Sequence, residues 1–169
     1  MIRSLSAPLW LVALSLAASA QSKVAVVNLQ RALLETAEIK KASAALEAKY
    51  KPRQTEIEKI RKDLEDIQQK LQTMAGKLTP QAESEMTVTG QRKQRDLQRK
   101  DEDLRAEVDQ ERNDILTKSG QRMQEVVKKL AEEKAVDVVI DASNTVYFKP
   151  ALELTQEAIA AYDKAYPVK

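Results

Sequence analysis

Histidine and cysteine are absent from this 169-residue chain, and only three glycines, one phenylalanine and one tryptophan are present. Without His or Cys, the commonest general base, metal ligand and nucleophile at neutral pH are missing. The lack of cysteine also rules out a disulfide framework and thiolate chemistry. Gly76, Gly90 and Gly120 are scattered, so no glycine-rich phosphate cradle can be built. Acidic clusters such as Asp101-Glu102-Asp103 lack the loop-and-glycine spacing of a calcium site and read as a solvated helix face. The expectation is a protein that is not an enzyme and needs no cofactor or metal.

Charge is abundant but balanced, with 28 basic against 26 acidic residues, so net charge by itself points to no polyanionic partner. The first residues, MIRSLSAPLWLVALSLAASA, combine Arg3, an apolar run from Leu9 to Leu16, and the small-x-small triplet Ala18-Ser19-Ala20. That is the form of a secretory signal, cleaved after Ala20, and its apolar run is shorter than the ~20 residues of a membrane span. The mature chain would begin at Gln21 and act outside the cytoplasm.

From Ile57 the apolar residues Ile57, Ile60, Leu64, Ile67, Leu71, Met74 and Leu78 alternate spacings of three and four, a heptad seam that extends back through Tyr50 and Leu46 to Ile39. AGKLTPQAE then interrupts it: Gly76 ends a helix, Thr79 caps the next, and Pro80 suits its first position. The second helix is predicted from Pro80 to about Lys134, with a thinner seam of Leu97, Leu104, Val108, Ile115, Met123, Val127 and Leu130. Two long helices joined by a short break predict an antiparallel coiled-coil hairpin, residues 37–134, with its tip near 76–80. Pro52 should kink or interrupt the first helix, and Gly90 follows β-branched residues of low helix propensity. Both are candidate hinges. Arg92, Lys93, Arg95, Arg99 and Lys100 gather near the tip beside Met74, Met86 and Val88, a basic surface with adaptable methionines suited to loosely specific binding.

Three short apolar runs remain: Val24 to Leu29, Val138 to Ile140, and Val146 to Phe148. Each is apolar on consecutive residues, the pattern of strands covered on both faces. Asn28 is a natural cap for a short helix, Leu29 to Leu34, and Thr155 is the expected cap of a last helix bearing Ile159 and Tyr162. Residues 21–36 and 135–169 together form a body small enough to be marginal alone, with sheet edges that invite pairing. Self-association that completes a common core is expected, with Val24, Val26, Val27, Val138, Val139, Ile140, Val146 and Phe148 as the core residues. The fold class is α+β, mostly helical: a small β body completed by oligomerisation, and a long helical arm.

This order of elements resembles the Skp/OmpH family of periplasmic chaperones. The residues that carry the resemblance are VAVVNLQRALLET after the signal site, the heptad hairpin, VDVVIDASNTVYF and the helix start at Leu154-Thr155. The resemblance implies a homotrimer with three arms around a cavity, a periplasmic location, and ATP-independent holding of unfolded outer-membrane β-barrel proteins. It also implies lipid or lipopolysaccharide contact on basic residues, which no motif here locates. A structural coiled-coil adaptor of the envelope is the alternative, and Pro52, Gly90 and the polar seam positions count against it. Nucleic-acid binding is disfavoured by the balanced charge and the lack of aromatics among the basic residues.

Overall fold

The computed structural model describes residues 22–168, so the expected signal segment lies outside the described residues. Strand β1 (Val24–Val27) leads into helix α1 (Leu29–Glu35), and the long helices α2 (Ala37–Thr73) and α3 (Pro80–Glu133) follow. Strand β2 (Val138–Asp141), two single 3-10 turns and helix α4 (Thr155–Ala165) complete the chain. The strands pair in parallel, Val24 opposite Val138 and Val27 opposite Asp141, so the whole hairpin is inserted in the crossover between them.

Local chemistry sets the helix ends. The Asn28 side chain accepts from the Arg31 amide, and that of Thr79 accepts from the Ala82 amide with Pro80 at the first position. Thr36 both ends α1 and caps α2: its hydroxyl donates to the Leu33 carbonyl at 2.8 Å and accepts from the Ile39 amide at 3.3 Å. Gly76 takes φ +76° in the turn between α2 and α3, a conformation that costs glycine nothing. The C-terminus of α3 closes as a Schellman motif, the Val136 amide donating to the Ala131 carbonyl (2.9 Å) and the Ala135 amide to that of Glu132 (3.1 Å). Its left-handed residue is Ala135, at φ +50°. Ala135→Gly should therefore stabilise the protein by about 1 kcal/mol, read as a raised urea midpoint; an unchanged midpoint would mean the strain is relieved elsewhere.

The body core joins Ala25 and Val27 of β1 to Ala32 of α1, Met123, Val126 and Leu130 of α3, and Ala158 and Tyr162 of α4. Helix α4 is fastened to the root of the arm. Tyr162 donates its hydroxyl to Glu38, Arg122 bonds the other Glu38 oxygen at 2.8 Å, and the Arg122 guanidinium stacks over Tyr166 at 4.6 Å. The Ala37 amide donates to Asp163 at 2.9 Å. Burial, then the bond to Glu38, push the Tyr162 hydroxyl above its ordinary pKa.

Along the arm, Tyr50, Ile57 and Leu104 are buried, with Leu46, Leu97 and Val108 packed against them. At 1.5 Å per residue, α3 reaches about 80 Å. α2 runs unbroken through Pro52, so the expected interruption does not occur. Ties across the pair flank that proline: Lys49 and the Tyr50 hydroxyl both bond Glu111, and Arg53 bonds Glu107. Lys49 and Tyr50 hold the Glu111 carboxyl below its ordinary range, and Lys93 does the same for Asp63. A depressed folded pKa means stabilisation present at neutral pH and lost as pH falls through the carboxylate range. Acidification from about pH 7 to about pH 3 should lower the melting temperature more in the native protein than in Glu111→Gln; identical shifts would exclude Glu111 as a contributor.

Two expectations are corrected. Val146 to Phe148 is not a strand: among the described residues it has no ladder partner, and Val146 and Tyr147 are 106% and 79% exposed. The other edge of β1 is instead met by a single parallel bridge, Val26 with Glu153, and by the Leu154 amide donating to the Val26 carbonyl at 2.8 Å. Nor does Thr155 cap α4; Leu154 stands at that position and Thr155 is the first helical residue. The Thr155 hydroxyl is used across the body, accepting from the Asn28 amide at 3.0 Å and donating to Glu153 at 2.9 Å.

Candidate functional site

The seam of the arm is closed in its middle and opens towards the tip. Ile57, Ile60 and Leu64 are buried, Ile67 and Leu71 half-buried, and Met74 exposed. On α3 the facing stretch between Val88 and Leu97 offers Gly90, Gln91 and Gln94 rather than apolar knobs. The result is a groove of about 410 Å³ whose lining includes Leu64, Ile67, Leu71, Met86, Gly90 and Arg95. Gly90 sits on its floor, where an added Cβ would lie 3.5 Å from Ile67 Cγ2, an ordinary contact. Gly90→Ala should thus stabilise the arm by about 1 kcal/mol; a loss of helicity in circular dichroism would contradict the geometry.

The basic residues expected at the tip divide into two sets. Lys93 bonds Asp63 at 2.7 Å, Lys100 bonds Glu56 at 3.0 Å, and Arg99 bonds Asp96 at 3.0 Å. These three hold the arm together or are neutralised on it. Arg92 and Arg95 have no acidic partner among the described residues and keep their charge available. Met74 and Val88 are each 41% exposed, and Met86 lines the groove. Sequence reasoning assigned Leu64, Ile67 and Leu71 to the seam and so missed them as groove residues. The signal was legible in the glutamines and glycine standing opposite them.

A second uncovered surface lies on the body. β1 is buried within its own chain, Val26 and Val27 included, and Val139 packs against the same core. The alternation along β2 turns Val138 and Ile140 the other way, leaving them 48% and 38% exposed, and Val146 is fully exposed. Val24 and Phe148 are intermediate. The residues expected in a shared core therefore fall into an inner set, already covered, and an outer set that is open in a single chain.

Among the described residues there is no cluster of three acidic, His or Cys side chains placed to hold a metal ion. No helix among them is long and apolar enough to cross a membrane.

Comparison with known proteins agrees with this architecture. Residues 23–162 match the sequence model of the family described as outer membrane protein (OmpH-like). The chaperone protein Skp of Yersinia enterocolitica is 32% identical over 153 residues, covering 86% of this chain and 91% of its own. Skp of Salmonella typhimurium is 31% identical over 145 residues, covering 82% and 88%. A crystal structure of an OmpH-like protein from Caulobacter crescentus superposes with a TM-score of 0.69 over 89% of each chain at 20% identity, a likeness of fold.

Proposed function

The chain belongs to the OmpH-like outer membrane protein family, and from that membership and the open arm we propose that it is a periplasmic chaperone that holds unfolded outer-membrane β-barrel proteins without ATP. The observation that carries the reading is the distal half of the arm, where the Leu64–Met86 groove, exposed Met74 and Val88, and unpaired Arg92 and Arg95 lie together. Such a surface captures by many weak contacts: apolar side chains cover exposed client residues, and the free guanidinium groups draw acidic segments from a distance. The relatives named chaperone protein Skp support the class of activity.

The working form in this reading is a homotrimer, its body completed where Val138, Ile140 and Val146 of each copy are covered by the next, with three arms enclosing the client. Residues 21–36 and 135–169 make up that body, and residues 37–134 the arm. Export by the signal segment places it in the periplasm. Lipid or lipopolysaccharide contact has no assigned residues within this proposal. Pro52 is braced on both sides by bonds to Glu111 and Glu107, which favours Gly90 as the point where the arm bends.

Charge reversal tests the capture surface. Arg92→Glu with Arg95→Glu breaks no ion pair of the arm, whereas Lys93→Glu would cost the bond to Asp63. The double variant should weaken capture of a urea-unfolded β-barrel protein about tenfold at low salt, with the difference shrinking as ionic strength rises. Unchanged capture at low salt would remove the arginines from the mechanism.

A further inference from the structure

Resting on this chaperone reading, we propose that one flank of the arm is a track for a single extended client segment, held at two footholds three heptads apart. The first foothold is the distal groove with Leu64, Ile67 and Arg95. The second is a recess of about 210 Å³ near the root of the arm, lined by Leu34, Ser43, Leu46, Arg112, Ile115 and Leu116.

The two are related by the heptad repeat. Ser43 and Leu46 lie 21 residues from Leu64 and Ile67, and on the opposite-running helix Ile115 and Leu116 lie 21 residues from Gln94 and Arg95. In a coiled coil, a shift of three whole heptads on both helices returns to the same flank. The footholds therefore lie on the same flank of the supercoil, about 31 Å apart at 1.5 Å per residue. An extended chain rising about 3.3 Å per residue covers that distance in nine to ten residues. A membrane-spanning β-strand is about 9–11 residues long.

Charge separates the two ends of the track from its middle. The recess between them is lined by Arg61, Asp101 and Arg105, and its cations are occupied: Arg61 bonds Glu58 at 2.6 Å and Asp101 at 3.3 Å, and Arg105 bonds Asp101 at 2.8 Å. Arg95 and Arg112 have no acidic partner among the described residues. Each apolar foothold is thus bordered by an open guanidinium, which complements a carboxylate beside an apolar side chain. The occupant this selects is an extended segment with two apolar anchors about ten residues apart, each next to an acidic residue. An even spacing puts both anchors on one face of the strand.

Labelled 16-residue peptides carrying two Leu-Asp anchors, ten or four residues apart in otherwise identical composition, test the track when titrated into the assembled protein. The ten-residue spacing should bind about tenfold more tightly. Arg95→Glu, Arg112→Glu and the exposed Leu34→Gln should each remove most of that advantage, with circular dichroism confirming intact helices. Equal affinity for both spacings in the native protein, which needs no variant, overturns the track. So does a spacing preference that survives both arginine variants. Suppression of aggregation of a full-length β-barrel protein is measured alongside: if it persists while peptide binding ignores spacing, the track fails alone; if it is absent, the chaperone reading beneath it fails as well.

Discussion

In the proposed homotrimer, Ile140→Asp combined with Val146→Asp is expected to convert the assembly into folded monomers. Both side chains are exposed in the single chain, so the carboxylates meet water there and cost the subunit little. In a shared body the same carboxylates are taken out of water in every copy without a partner, and each unpaired charge costs several kcal/mol. Because the penalty repeats in each subunit, association should weaken by far more than tenfold. Light scattering reads the mass and far-ultraviolet circular dichroism the helices. A variant that keeps the native mass would place the interface elsewhere. Val27→Asp is the contrast: that position is fully buried within its own chain, so it should unfold the body rather than merely separate the subunits.

Tyr162→Ala should be the most damaging change outside the strands. The ring is fully buried against Met123, Val126 and Ala158, lies 5.0 Å from the Tyr166 ring, and its hydroxyl is bonded to Glu38. Truncating a buried aromatic to alanine costs about 3–5 kcal/mol through lost transfer energy and the cavity left behind. Tyr162→Phe keeps the ring packing and loses the hydroxyl's bonds to Glu38 and to the buried Ser119, about 1–2 kcal/mol, because Glu38 retains Arg122. Urea unfolding distinguishes the two. Equal losses would show that the hydroxyl, not the ring, fixes the arm root to the body.

The parts legible in the sequence are those determined within a few residues of themselves. Asn28, Thr79 and Gly76 act on amides and dihedrals in their own turns, so the helix ends could be read directly. The seam from Tyr50 to Leu64 was legible because a 3–4 spacing with charged neighbours has one efficient way to pack. Misreadings came where a distant element decides. Thr155 looks like a cap, but its hydroxyl is engaged by the Asn28 amide 127 residues away. The second seam did suggest Val127, which packs against the body core, but gave no sign of Val126 and Ser119, which are buried as well. Val146 to Phe148 has the composition of a strand, yet among the described residues it finds no ladder partner, and the second edge of β1 is taken by Glu153 instead. Of the binding surface, the basic residues were visible as a cluster. Which of them stay unpaired depends on Asp63 and Glu56 across the hairpin, contacts that only the antiparallel register defines.

The measurement that bears most directly on the chaperone reading is the mass of residues 21–169 by light scattering, alone and after dilution of a urea-unfolded β-barrel protein into it. Trp10 is the only tryptophan and falls outside that fragment, so tryptophan fluorescence reports the client alone. The account predicts a trimer that forms a defined soluble complex with the client, with no nucleotide added. A discrete oligomer whose mass does not change while the client precipitates would contradict it and favour a structural coiled-coil adaptor.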